Sequence, residues 1–199
     1  VYNSHGLKLW HSEITEKINT EQAVNPQFKD QRAILYNLVN DQKMEFIFLN
    51  RSDTALNKNR SVYCIDNTGN VLWTFTVAPL NLYFGGIKNW DNLIINGILP
   101  ARKNSNNYII YHGRLNDMYP YTIGLIGSNG NLISDFWSSG FLNEVRLFDL
   151  DGEGTEELYC GGSNNMSKYN CAALCVFDVE FVKGSSPFSD PKLNGEKGT

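Results

Sequence analysis

The stretch VYCIDNTGNVLW, residues 62 to 73, places a polar four-residue turn between two short apolar runs and ends on a tryptophan. The turn is typical of a β-hairpin, because Gly69 can adopt the positive φ that a side chain resists. The pattern therefore predicts two antiparallel strands joined by a tight turn. In a repeated structure Trp73 would fill the wedge between neighbouring units, and the alternative is a lone hairpin with a buried tryptophan.

The same turn recurs elsewhere in the chain, which favours repetition over a lone hairpin. VYNSHGLKLW at 1–10 carries Gly6 with Trp10 four residues later, and IGLIGSNGNLIS at 123–134 carries Gly130. The spacings between the successive turn glycines are 63 and 61 residues. Self-similarity at such a period, with several strands in each period, predicts a repeat architecture.

A second landmark repeats in phase with the glycine turns. NDQKMEFIFLN at 40–50 aligns with GEGTEELYCGG at 152–162, and Glu45 aligns with Glu157. WDNLIING at 90–97 is assigned the same place in the middle unit. Each unit is thus expected to contain a loop rich in Asp, Asn and Gly, a strand, a long variable loop, and two further strands joined by the glycine turn.

The composition limits the classes of protein to which the chain can belong. With 199 residues, of which 42% are hydrophobic and 13% aromatic, it can bury a core as one domain or as a repeat array. The net charge of −4, with scattered lysines and arginines, argues against nucleic acid as a partner. Because no apolar run approaches the roughly 18 to 20 residues of a membrane span, we expect none in this chain. An extracytoplasmic location, periplasmic or secreted, is the working expectation.

Apolar residues alternate with the period of β-strands over most of the sequence. The runs are short, rich in Ile, Val, Tyr and Phe, and separated by turn-forming residues, so the chain is expected to be all-β. A helix is expected only at 13–24, where isoleucines fall near helical spacing. The predicted strands are 33–39, 45–50, 61–66, 70–77, 92–99, 108–115, 122–127, 144–150, 156–162 and 171–179.

Two stretches resemble known propeller repeats. VYCIDNTGNVLWTF is similar to the strand–turn–strand of pyrroloquinoline-quinone-type repeats, and FDLDGEGTEELYCGG at 148–162 resembles the loop that begins FG-GAP and VCBS repeats of integrin-like propellers. The resemblance implies a propeller-like array of about three blades. Because closed propellers usually have four to eight, the array is expected to be either a piece of a larger propeller or an open stack of sheets whose ends need cover. The expected domain covers 1–187, with a partial unit 1–30, units 31–80, 81–140 and 141–187, and a polar tail 188–199.

The FG-GAP resemblance also implies a calcium site in the last unit. Its ligands, matched residue by residue, are Asp149, Asp151, Glu153, the Thr155 carbonyl and Glu157, and such hard oxygen ligands suit Ca²⁺. Glu153 departs from the pattern, which has Asp there, and the alternative is a metal-free turn whose carboxylates cap backbone N–H groups. The matching positions of the first unit (Asn37, Val39, Asp41, Glu45) and of the second (Phe84, Gly86, Lys88, Asn92) do not supply a full ligand set.

The cysteines and histidines give weaker indications. Cys160 and Cys171 flank a polar loop and could form a disulfide across a hairpin; the alternative is that they, with Cys64 and Cys175, are buried free thiols. Without metal-ligand partners at useful spacing, the histidines are expected at the surface or half-buried. These are His5, His11 and His112.

Two functional classes fit this sequence. In the first, the chain is a non-catalytic interaction module that offers its variable loops, 51–60, 100–107 and 163–170, to a protein or glycan. In the second, it is part of a propeller enzyme, such as a quinoprotein or a polysaccharide lyase. The candidate ligand-binding residues are loop aromatics, which would otherwise pack between blades: Tyr83, Phe84, Trp90, Tyr119 and Tyr121.

Overall fold

In the computed structural model, the structure describes residues 4–8, 32–51, 60–77, 93–115, 120–164 and 171–186. These residues form twelve strands and one 3₁₀ turn, Val179–Phe181, so the prediction of an all-β chain is confirmed for them. The predicted helix at 13–24 lies outside the described residues. The strands are β1 Ala33–Tyr36, β2 Glu45–Arg51, β3 Arg60–Ile65, β4 Val71–Thr76, β5 Leu93–Lys103, β6 Asn106–Leu115, β7 Tyr121–Gly127, β8 Leu132–Ser138, β9 Phe141–Phe148, β10 Glu157–Asn164, β11 Cys171–Asp178 and β12 Gly184–Ser185.

The strands build three sheets, each made from a consecutive stretch of chain. The first sheet has the order β1-β2-β3-β4, the second β5-β6-β7-β8, and the third β9-β10-β11, with antiparallel pairing throughout. The short strand β12 adds to the second sheet by pairing parallel with β8. None of the three sheets closes into a barrel.

The turn between β3 and β4 in the first sheet has the same backbone hydrogen bond as the turn between β7 and β8 in the second. In the first, the Gly69 amide donates to the Asp66 carbonyl at 3.1 Å; in the second, Gly130 donates to the Gly127 carbonyl at 2.9 Å. Both glycines have positive φ, 97° and 81°, as predicted for Gly69. The Asp66 side chain fixes the first turn, and hydrogen bonds from the Thr68 hydroxyl and the Asn70 amide hold its pKa well below the usual range.

The second sheet lies between the other two, because its residues enter both hydrophobic cores. One core joins Val62, Cys64 and Phe75 of the first sheet to residues of the second, including Ile109 and Tyr111. The other core joins residues of the second sheet to residues of the third. Every residue of β7 is accordingly buried, as expected for a strand covered on both faces.

The faces of the sheets repeat along with the turns. Ile123, Leu125 and Phe136 stand 61 residues after Val62, Cys64 and Phe75. The first trio packs toward the second sheet, and the second trio packs toward the third sheet. Each sheet therefore presents the same positions to the sheet that follows it in the chain.

Trp73 connects the first sheet to the turn of the second. Its indole Nε1–H donates to the Ser128 carbonyl at 2.9 Å. The ring also covers Gly130, since a Cβ built on that glycine would lie 2.6 Å from the Trp73 Cγ. Trp73 thus occupies the junction between two neighbouring units, which is the position that the sequence predicted for it.

Two predictions about the middle of the chain are wrong. The range 100–107 is not a long variable loop but the end of β5, a two-residue turn and the start of β6. Asn104 and Ser105 form this turn with positive φ at both positions, a geometry usually signalled by glycine. Within the stretch at 90–97, the described residues 93–97 belong to β5, the first strand of its sheet, whereas β2 and β10 are second strands, so the stretch does not match them.

Candidate functional site

The acidic loop between β9 and β10 brings three of the predicted ligands together. Carboxylate oxygens of Asp149, Asp151 and Glu157 all lie within 4.8 Å of one another. Asp149 and Asp151 belong to the loop, and Glu157 begins β10, so the start of the strand closes the cluster. Carboxylate oxygens are the donor type that divalent cations such as Ca²⁺ take in proteins, and three of them would supply part of the six to eight oxygen ligands of a Ca²⁺ ion.

The same carboxylates also organise the loop through hydrogen bonds. The two oxygens of Asp149 accept the amides of Gly152 at 2.8 Å and Gly154 at 2.9 Å. Asp151 Oδ1 accepts the amide of Glu153 at 3.1 Å. This is the capping arrangement given above as the alternative to a metal site, and it also holds the side chains in place for one.

The fourth predicted carboxylate, that of Glu153, does not join the cluster in this arrangement. The Glu153 carboxylate accepts a hydrogen bond from the Thr155 hydroxyl, and it is not part of the group of converging carboxylates. The departure from the repeat pattern at this position therefore coincides with a different use of the side chain. Of the four predicted carboxylate ligands, the structure brings three together: Asp149, Asp151 and Glu157.

The negative charge of the loop acts on Tyr159. Its hydroxyl donates to Glu157 at 3.4 Å, and the side chain projects from β10 beside the cluster. The pKa of Tyr159 is raised, first by loss of solvent and then by the neighbouring charge and hydrogen bond of Glu157, with smaller contributions from Asp151 and Asp149. A cation bound among these carboxylates would oppose the electrostatic part of that shift.

The equivalent loop of the first unit uses its acidic residues differently. Glu45 is buried, and its Oε2 accepts the backbone amide of Leu38 at 2.7 Å. Asp41 Oδ1 accepts the amide of Lys43 at 2.9 Å, and the Lys43 ammonium lies 3.6 Å from the same carboxylate. The matching positions predicted for the second unit lie outside the described residues.

Tyr121, a predicted ligand-binding residue, does not lie on a loop as expected but in a buried strand. Tyr121 begins β7 with 1% of its surface exposed, and its hydroxyl lies 2.5 Å from the His112 Nδ1. The polar tyrosine tip is satisfied inside the core, as is usual for a buried tyrosine. The other predicted ligand-binding aromatics fall in parts of the chain that the structure leaves undescribed: Tyr83, Phe84, Trp90 and Tyr119.

The prediction that all histidines are exposed or half-buried is also wrong for His112. This residue is 4% exposed, because β6 belongs to the central sheet. Burial, helped by the charge of Arg146, lowers the pKa of His112 to about 3, so the imidazole is neutral near pH 7. His5 is exposed, as expected, and His11 falls outside the described ranges.

The cysteines are free, and their pairing differs from the disulfide considered above. Cys160 stands opposite Cys175 on the neighbouring strand, whereas Cys171 stands opposite Asn164. Cys64 and Cys160 are buried, and loss of solvent raises the pKa of each thiol to about 12. Cys171 is exposed, so the expectation of four buried thiols is wrong for that residue.

One surface that sequence reasoning missed is the outer face of the third sheet, the face turned away from the second sheet. Leu174 and Val176 lie on it and are 71% and 49% exposed. The signal was present in CAALCVFD, the sequence of β11, which has apolar residues at both odd and even positions. Such a sequence resembles that of a strand buried on both faces. The outer face includes Glu144 and Arg146 on β9, Tyr159 and Gly161 on β10, and Leu174 and Val176 on β11, which stand opposite one another in the strand register. Phe148, 58% exposed, follows Arg146 on the same face of β9.

The chain matches no protein-family model, no curated protein and no solved structure. Among the residues that the structure describes, no helix has the length and apolar character needed to cross a membrane.

Proposed function

We propose that the chain is a non-catalytic interaction module, a propeller-like repeat array that binds a protein or glycan partner. The repeated turns and faces of its sheets carry this proposal. A scaffold whose stability comes from repeated packing leaves its connections free to vary, and binding residues are commonly found on such connections. Glu45 and His112 are buried ionisable side chains, and each forms a hydrogen bond within the scaffold. Both side chains therefore support the fold, as expected for a non-catalytic module.

The partner is proposed to bind at the edge of the array formed by the connections between the second and third strands of each sheet. The connections are equivalent in the three sheets because the strand order is equivalent. Arg51 pairs with Arg60 at this end of the first sheet, and Asn164 pairs with Cys171 at this end of the third. The ligand-binding residue Tyr119, predicted from the sequence, belongs to the corresponding connection of the second sheet.

A pull-down and glycan-array screen with the purified chain tests the proposal. We expect a protein or glycan ligand whose binding is lost when 52–59 is replaced by a Gly/Ser linker of equal length. The control variant is Ser105→Gly, which creates the Asn-Gly sequence that suits the turn between β5 and β6 at the opposite end and should leave binding unchanged. No ligand of either kind, together with turnover of a polysaccharide or an alcohol by the purified chain, would overturn the proposal.

We also propose that the acidic loop binds Ca²⁺ and that the ion stabilises the fold without taking part in a reaction. Support comes from the convergence of Asp149, Asp151 and Glu157 and from the hard oxygen chemistry of the three carboxylates. The loop joins a first strand to a second strand, so it lies at the end of the third sheet opposite the proposed partner-binding connections. In this proposal, Ca²⁺ in the acidic loop stabilises the fold, and the connections between second and third strands bind the partner.

Added calcium is expected to raise the melting temperature by mass action. At 100 times the dissociation constant the gain is about 2.7 kcal/mol, or roughly 5 to 10 °C for a chain of this size. The shift should disappear in Asp151→Ala and persist in Asp41→Ala, which removes a carboxylate with the same local hydrogen bond from the equivalent loop. Differential scanning calorimetry with and without millimolar CaCl₂ decides the point. No shift, or an equal shift in Asp151→Ala, would contradict the proposal.

A further inference from the structure

The outer face of the third sheet occupies positions that are buried elsewhere in the array. The alignment of Glu45 with Glu157 makes β10 the counterpart of β2. In the strand pairing, Leu174 then occupies the position equivalent to Val62, and Val176 occupies the position equivalent to Cys64. Both Val62 and Cys64 are completely buried against the second sheet. The third sheet therefore keeps apolar residues at the positions that contact a following sheet, but leaves them open to solvent.

The outer face is complementary to itself. Its centre consists of two adjacent cross-strand rows, one made of Arg146, Tyr159 and Val176, and the other of Glu144, Gly161 and Leu174. A twofold axis in the plane of the interface, perpendicular to the strands and passing between these rows, places each row over the other row of a second copy. Arg146 of one copy then faces Glu144 of the other, Tyr159 faces the space over Gly161, and Val176 faces Leu174.

Each of these three oppositions is favourable on its own physical grounds. Glu144 and Arg146 form an ion pair within one chain, with the Arg146 guanidinium 3.4 Å from the Glu144 carboxylate, and their side chains remain 64% and 63% exposed, so both charges can also reach a second copy. A bulky ring opposite a residue without a side chain allows two faces to interdigitate. Leu174 and Val176 would remove apolar surface from water.

We propose that two copies of this chain associate through the outer face of the third sheet, about this twofold axis. The interface is isologous, so it closes after two copies and does not extend into a filament. It goes beyond the ligand binding proposed above and does not depend on it, since it uses a sheet face and not the connections.

The size of the face sets the expected affinity. Three strands of eight residues cover roughly 14 Å by 26 Å. Such a face is smaller than a standard protein interface, so we expect a reversible dimer with a dissociation constant in the micromolar range. Sedimentation velocity of the wild-type chain from about 1 to 500 μM should show the mass rising from 22.5 kDa toward twice that value.

Charge variants test the geometry without removing a buried group. In Arg146→Glu, two negative charges face two negative charges; in Glu144→Arg, two positive charges face two positive charges. Each variant alone is expected to dimerise at least about tenfold more weakly than wild type, and an equimolar mixture should recover dimers. Lys43→Glu, which makes the same charge change on a loop of the first sheet, should dimerise as wild type does.

The recovery in the mixture distinguishes contact between chains from an effect within one chain, because the two substitutions are then on different copies. Circular dichroism and urea unfolding of each variant establish that it is folded. A wild-type chain that stays monomeric up to 500 μM overturns the proposal. So do single variants that dimerise like wild type, or a mixture of folded variants that remains monomeric.

Discussion

Replacing Gly130 with alanine is expected to lower the free energy of unfolding by about 2 to 4 kcal/mol. Two separate penalties combine at this position. The φ of 81° lies in the left-handed region that disfavours a side chain, and the new Cβ would lie 2.6 Å from the Trp73 Cγ. Neither the turn nor the indole can move without disturbing the junction between the first two sheets. Urea unfolding followed by circular dichroism measures the loss.

Gly152→Ala is the matched control for this substitution. Gly152 has a similar φ of 76°, but a Cβ built there meets no atom within 4 Å. It should therefore show only the backbone penalty, about 1 to 2 kcal/mol. The unfolding measurements are made in the presence of a calcium chelator, because Gly152 belongs to the acidic loop. Equal losses in the two variants would mean that Trp73 does not pack on Gly130.

Acid is expected to destabilise the protein through His112. Its pKa is about 3 in the folded chain against 6.5 for a free imidazole, so below pH 6.5 the unfolded chain binds a proton that the folded chain excludes. The free energy of unfolding consequently falls as the pH is lowered toward 3 and is independent of this group above about pH 7. Between pH 6.5 and 4.5 the expected loss from this one residue is about 2 to 3 kcal/mol.

The double variant His112→Phe/Tyr121→Phe isolates this contribution. It replaces both partners of the buried hydrogen bond with apolar rings of similar shape, so neither partner remains behind as a buried polar group. Carboxylates titrate in both proteins, so the comparison of the two pH profiles removes their effect. The profile of the double variant should be flatter by about 2 to 3 kcal/mol over this interval. Two profiles that run parallel would contradict the assignment.

The local features of the fold could be predicted because they follow from short-range chemistry. The alternation of apolar residues gave β3 and β4, and the glycine turn between them has the predicted positive φ. The convergence of Asp149, Asp151 and Glu157 was likewise accessible, because all three belong to one short loop and the strand that follows it. Such features depend on residues that are close in sequence, where few arrangements compete.

The errors concern long-range packing and turns without glycine. Tyr121 and His112 looked like surface residues because their polar atoms satisfy each other only when β6 and β7 pair. Asn104 and Ser105 adopt the positive φ of a tight turn without a glycine to indicate it. Cys160 meets Cys175 because the register of β10 and β11 depends on the connection between them and not on the spacing of the cysteines.

The repeated sheet stack rests most directly on the contact between Trp73 and Gly130, and a double-mutant cycle measures it. Gly130→Ala, Trp73→Ala and the double variant are unfolded in urea alongside wild type. If the first sheet packs on the turn of the second, Gly130→Ala in the Trp73→Ala background should lose only the backbone penalty, so that the coupling is about 1 to 2 kcal/mol. Additive losses, with a coupling below about 0.5 kcal/mol, would contradict the stacked arrangement of the two units.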